Sequence, residues 1–77
     1  MALNDRYIST EELNALKKRF PSGSRVMLTR MDDKQAPPPG TKGTVDYIDS
    51  IGTIFVSWDN GSQLGVVYKV DKCIRID

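Results

Sequence analysis

A chain of 77 residues has room for one domain, and at about that length folding removes only about 60% of the unfolded surface from water, so its stability margin is narrow. Its 39% apolar and 27% charged residues match an ordinary globular domain and argue against disorder throughout. Eleven basic against ten acidic residues leave a formal charge of +1, which excludes a whole-molecule field able to gather nucleic acid or an anionic membrane; binding of that kind needs a local patch.

Met1 to Tyr7 has neither the basic start nor the apolar stretch of a signal peptide, and no run approaches membrane-spanning length. The cytoplasm is therefore the expected compartment. Ser9 and Glu12 have the spacing of a capping box, with Ile8 and Leu13 at the positions of a hydrophobic staple. Leu13, Leu16 and Phe20 then share one helical face, and the order of acids first and bases last suits the helix dipole. A helix is predicted from Thr10 to Arg19, ended by Pro21, which disfavours helical geometry at Phe20. Lys17, Lys18 and Arg19 read as a solvated, dipole-matched helix end before they read as a nucleic-acid patch.

From Arg25 the period changes to two, and Val26 and Leu28 give a first strand one apolar face. Pro37-Pro38-Pro39-Gly40 can join neither a sheet ladder nor a helix, so Asp32 to Lys42 is a loop. Its prolines offer a polyproline ligand to another protein, or more plainly a stiffened surface loop. A second strand is predicted from Gly43 to Ile48. Val45 and Ile48 can both face inward there only across a bulge near Asp46-Tyr47, which leaves Tyr47 partly exposed. Thr53 to Trp58 is a third strand with Ile54, Val56 and Trp58 on one face.

The turn Trp58-Asp59-Asn60-Gly61 discriminates between two registers. A two-residue Asn60-Gly61 turn splits the apolar residues between faces. A three-residue loop with Gly61 left-handed pairs Trp58 with Ser62, Val56 with Leu64 and Ile54 with Val66, and sets the Phe55 ring over Gly65. The second register is predicted. Leu64 to Tyr68 follows as a fourth strand, Lys69 to Asp71 as a tight turn or a single turn of 3₁₀ helix, and Cys73 to Ile76 as a fifth strand.

Five short antiparallel strands with one apolar face should roll into a partly open barrel. The expected fold is mainly β with one N-terminal helix: an arm and capping helix over residues 1–21 and a small five-stranded SH3-like barrel over 22–77. Leu13, Leu16 and Phe20 are expected to close one end.

The run Gly40-Thr41-Lys42-Gly43-Thr44-Val45, then Gly52-Thr53-Ile54, Trp58-Asp59-Asn60-Gly61, Leu64-Gly65 and Asp71, resembles a small bacterial and phage family known only as a domain of unknown function. The resemblance spans about Gly23 to Ile76 and leaves the helix outside. It implies an SH3-like barrel, often met beside genes of mobile elements. The same pattern is similar to the Mind bomb/HERC2 domain and, more loosely, to KOW-type barrels, which are recognition modules and not enzymes.

No constellation carries chemistry. One cysteine, Cys73, excludes an internal disulfide and reads as a packed strand residue. Without histidine, the usual zinc sets and any Ser-His-Asp or Cys-His nucleophile are excluded. Aspartates 32, 33, 46, 49, 59 and 71 sit mostly where turns favour them, and Gly40-Thr41-Lys42-Gly43 lacks phosphate-loop spacing. No cofactor, metal or catalytic residue is expected. What remains is a surface of Arg30, Lys42, Tyr47, Phe55, Val67 and Tyr68, with Lys69 near, that could grip a peptide or stack on bases. The sequence therefore predicts a monomeric, non-enzymatic module for binding a protein or peptide. Its alternative is a KOW-like nucleic-acid binder using Arg25, Arg30, Lys42 and Lys69. A membrane partner is not expected.

Overall fold

The computed structural model describes residues 8–77, so the reading of Met1 to Tyr7 lies outside the described residues. One helix, α1 (Thr10–Arg19), precedes four strands: β1 (Arg25–Arg30), β2 (Lys42–Ile48), β3 (Ile54–Trp58) and β4 (Lys72–Arg75). The helix has the predicted bounds for the predicted reasons. The Ser9 hydroxyl accepts the Glu12 N–H at 3.0 Å while the Ser9 N–H donates to Glu12 Oε1 at 3.0 Å, satisfying two amides that have no partner within the helix. At the other end Phe20 leaves helical geometry at φ −127°, ψ 66°, immediately before Pro21.

The strands form one antiparallel sheet in the order β3-β2-β1-β4. The predicted bulge is present: pairing between β2 and β3 shifts between Val45 and Tyr47. The extra residue, Asp46, turns its carboxylate to the Ser57 hydroxyl, 2.8 Å away. Val45 is thereby buried, Ile48 packs against the core, and Tyr47 lies 55% exposed.

The strand count departs from the expectation. The sheet has four strands, not five, and is not closed into a barrel. Of the segment predicted as a fourth strand, Leu64 to Tyr68, only Val66 pairs, exchanging backbone hydrogen bonds of 2.8 and 3.0 Å with Ile54. The reason lies one register step away, where the Leu64 carbonyl accepts the indole N–H of Trp58 at 2.9 Å. The buried indole must place its one donor, and it does so on the carbonyl that pairing of Val56 with Leu64 would have used.

The register itself is the predicted one. Trp58 N–H donates to the Ser62 carbonyl at 2.9 Å. Gly61 has φ +96°, whereas Asn60 is not left-handed and uses its side-chain oxygen to accept the Ser62 amide at 3.0 Å. That is the bulged loop, with its left-handed position at glycine, where it carries no steric cost. Phe55 lies over Gly65, its ring 3.4 Å from where a Cβ would stand.

Phe20, Val26, Leu28, Val45, Ile54, Val56, Trp58 and Val66 form the buried core, with Leu16, Met31, Ile48 and Cys73 packed against it. The helix contributes through Leu16 and Phe20, at its C-terminal end. Leu13 is half-buried and outside this cluster. The loop between β1 and β2 is tied down just after its prolines. Gly40 N–H donates to Leu28 O at 2.7 Å, and the Thr41 N–H and hydroxyl both donate to Pro38 O, at 3.1 and 2.7 Å. Pro37 is buried and Pro38 and Pro39 are exposed, an arrangement that fits the plainer reading of a stiffened loop.

Candidate functional site

The incomplete strand at Leu64 to Tyr68 leaves a seam. Val66 is held by β3 on one side of the sheet and β4 hangs from β1 on the other, with the turn from Val67 to Asp71 joining them. Over this seam lies the C-terminal half of α1, and between the three is a groove of about 400 Å³, within the range of small-ligand and side-chain pockets. Leu16 and Phe20 form its helical wall, Val66, Val67 and Tyr68 the second, and Cys73 and Ile74 the third. The walls are largely apolar, and Val67 and Ile74 are 43% and 47% exposed.

One carboxylate builds the turn. Asp71 is 8% exposed; its Oδ1 accepts the Asp32 N–H at 3.0 Å and its Oδ2 the Val67 N–H at 2.9 Å. Its own N–H donates to the Val67 carbonyl at 2.9 Å. This aspartate therefore ties the end of β1 to the groove wall, a structural duty that agrees with the turn role read from sequence. Asp71→Ala leaves two amides without their acceptor, and a loss of about 1–3 kcal/mol per buried group is expected. Urea denaturation checks this, with a decrease under about 0.5 kcal/mol contradicting the role, since that is the scatter of ordinary surface changes.

Tyr68 closes the groove near the start of the helix. Burial first, and then the neighbouring Glu12 carboxylate, hold the phenol above its ordinary pKa. The Glu12 carboxylate is held below its usual range, chiefly by the Ser9 amide and next by the Tyr68 hydroxyl. Lys69 Nζ stands 5.6 Å from the Tyr68 ring centroid, within reach of a cation–π contact.

Cys73 lines the groove and is half-buried. Burial pushes its thiol up to about 11, against a smaller opposing pull from Arg19. A thiol whose folded pKa lies above its unfolded one contributes stability in full below about pH 9. It loses that contribution as the pH rises toward about 11. At pH near 8 the thiolate fraction, and with it the rate of alkylation, is expected to be about 100-fold lower in the folded chain than in denaturant. Labelling by iodoacetamide checks this; equal rates in both states would contradict it.

The residues predicted as a binding surface do not form one patch. Val67 and Tyr68 belong to the seam groove. Tyr47 and Phe55 form a separate pair on the outer face of the sheet, their rings stacked at 4.7 Å and 18°. Tyr47 also borders a second, smaller groove of about 250 Å³ beside Phe20 and Pro21. Arg30 ends β1 next to Lys72, while Lys42 begins β2 opposite Met27; both are exposed.

Arg25 is paired within the fold. Its guanidinium holds Asp59 through two hydrogen bonds, of 2.9 and 2.6 Å, and donates a third to the Thr44 hydroxyl at 3.0 Å. The hydrogen bond from Arg25 keeps the Asp59 carboxyl below its usual range, and the same bond raises the pKa of Arg25. Sequence reasoning missed Leu16, Ile74 and Lys72 as groove residues, because their meeting depends on the gap in the sheet.

Among the described residues no group of three or more His, Cys, Asp or Glu side chains could hold a metal ion. No helix among them is long and apolar enough to cross a membrane. No curated protein and no solved structure is similar enough to count as a match. The family described as Domain of unknown function (DUF4314) matches residues 9–76, from the capping serine to Ile76, and so takes in α1, which the resemblance read from sequence left out. The chain belongs to that family.

Proposed function

We propose that this chain is a small non-enzymatic interaction module, an open variant of the SH3-like arrangement, whose ligand is another protein or peptide. The observation that carries the reading is the groove at the sheet's seam. It is concave and mostly apolar, with Val67 and Ile74 exposed beside it, the kind of surface that folded chains retain for a partner. The formal charge of +1 supplies no whole-molecule field for a nucleic-acid backbone, and Arg25, one of the cations expected to contact it, is paired with Asp59.

The test compares partners retained from nuclease-treated lysate of the source cells by the wild type and by a Val67→Ser/Tyr68→Ser variant whose circular dichroism is unchanged. Proteins held by the wild type and lost from the variant are the expected result. The same set on both, or retention found only in untreated lysate, contradicts the reading.

A further inference from the structure

The seam exposes more than an apolar groove, because β4 is the terminal strand of the sheet. Which of its backbone groups are free follows from the register. Ile76 N–H donates to the Arg25 carbonyl at 2.9 Å, and antiparallel hydrogen bonding alternates, so Ile74 also turns its backbone toward its partner Met27. Cys73 and Arg75 must then turn their N–H and C=O groups outward. Neither makes a backbone hydrogen bond on that side with any described residue. An edge of this kind is a template for an added strand unless something blocks it, and this one runs along the wall of the groove.

The charges around the groove select among strands. Arg19, Lys69 and Lys72 all line it, and none forms a salt bridge among the described residues. Two carboxylates stand in the vicinity: Asp71, which accepts two backbone amides, and Glu12, which completes the capping box and feels the charge of Lys69. Three cations against two carboxylates leave the rim of this apolar trough net positive, which complements an apolar segment flanked by acids.

Lys69 adds an independent sign. It is the one described residue other than glycine with positive φ, at +64°, a conformation that costs a lysine free energy and a glycine almost none. Strain of this sort gathers at binding sites, and here it places a cation beside the Tyr68 ring at the mouth of the groove.

We infer that the free edge of β4 and the adjoining groove receive an extended peptide segment of a partner protein. That segment pairs with the backbone of Cys73 and Arg75, sets an apolar side chain between Phe20 and Val67, and carries carboxylates that meet Arg19, Lys69 and Lys72. This deepens the interaction reading and rests on it.

The test titrates isotope-labelled full-length protein with two sets of short acetylated peptides, each with alternating valine and leucine at the centre, flanked by glutamate in one set and by lysine in the other. The glutamate set is expected to shift the amides of Val67, Lys69, Cys73 and Arg75 saturably and to slow hydrogen exchange at Cys73 and Arg75. Lys72→Ala should weaken binding about tenfold, the effect of removing one well-placed charge partner. Lys69→Gly should raise Tm while weakening binding, which separates a duty to the ligand from a duty to the fold.

An equal response to the lysine set, shifts confined to Tyr47 and Phe55, or a Tm that falls in Lys69→Gly each overturn this inference and leave the interaction module standing. So does sedimentation showing that a second copy of the chain occupies the groove. No response to either set also overturns it; a salt-sensitive response of the same amides to duplex DNA in that case removes the interaction reading as well.

Discussion

Trp58→Ala is expected to remove the larger part of the chain's stability. Trp58 is 3% exposed at the centre of the core, and truncating a buried aromatic to alanine costs about 3–5 kcal/mol. Its indole also supplies the donor that satisfies the Leu64 carbonyl, and stranding that acceptor adds about 1–3 kcal/mol. Against this stands a total stability of roughly 4–12 kcal/mol for a domain of this length. Trp58→Phe keeps most of the apolar volume and loses the hydrogen bond, so it should fall between the wild type and alanine. Urea denaturation followed by circular dichroism ranks the three; a phenylalanine variant as stable as the wild type would show that the indole bond to Leu64 contributes nothing.

The second large effect is at Gly43, where the smallest possible addition meets the core. A Cβ there would stand 2.6 Å from Val56 Cγ1, 2.8 Å from Trp58 Cε3 and 2.9 Å from the Ser57 carbonyl oxygen. The side chains could shift, but the carbonyl belongs to the β2–β3 ladder itself, in which Gly43 lies opposite Trp58. Overpacking a close-fitted core costs about 1–3 kcal/mol and more where backbone must move. Gly43→Ala should therefore lower the denaturation midpoint by an amount in the upper part of that range, even though alanine is the better residue for an ordinary strand position. A change within about 0.5 kcal/mol would mean that β2 and β3 do not approach as closely as described.

What could be read from the sequence was whatever local chemistry decides. The capping box at Ser9 and Glu12, the stop at Pro21, the bulge at Asp46 and the left-handed Gly61 each follow from residue type and spacing within a few positions. The register of the β3 hairpin was legible as well, because only one pairing gathers Ile54, Val56, Trp58 and Val66 on a single face. The failure of the predicted fourth strand was not legible. Leu64 to Tyr68 alternates like a strand, and the competing claim on the Leu64 carbonyl comes from an indole six residues earlier, whose reach depends on the folded hairpin.

The candidate site suffered from the same limit. Val67 and Tyr68 could be named as surface residues, but the groove they border exists because the sheet is open, and its other walls come from α1 and β4. Arg25 shows the converse. Its charge was visible in the sequence, whereas its capture by Asp59 across the sheet was not. A list of exposed basic and aromatic residues thus mixed groups already satisfied within the fold with groups still available to a partner.

Residue-resolved amide hydrogen exchange in the free protein tests the open seam most directly. Protection should alternate along β4, with Ile74 and Ile76 protected while Cys73 and Arg75 exchange nearly as fast as a loop, and with Ile54 and Val66 both slow. Uniform protection from Lys72 to Ile76 would instead mean that the edge is already paired and the barrel closed, leaving neither the groove nor the strand-addition site described above.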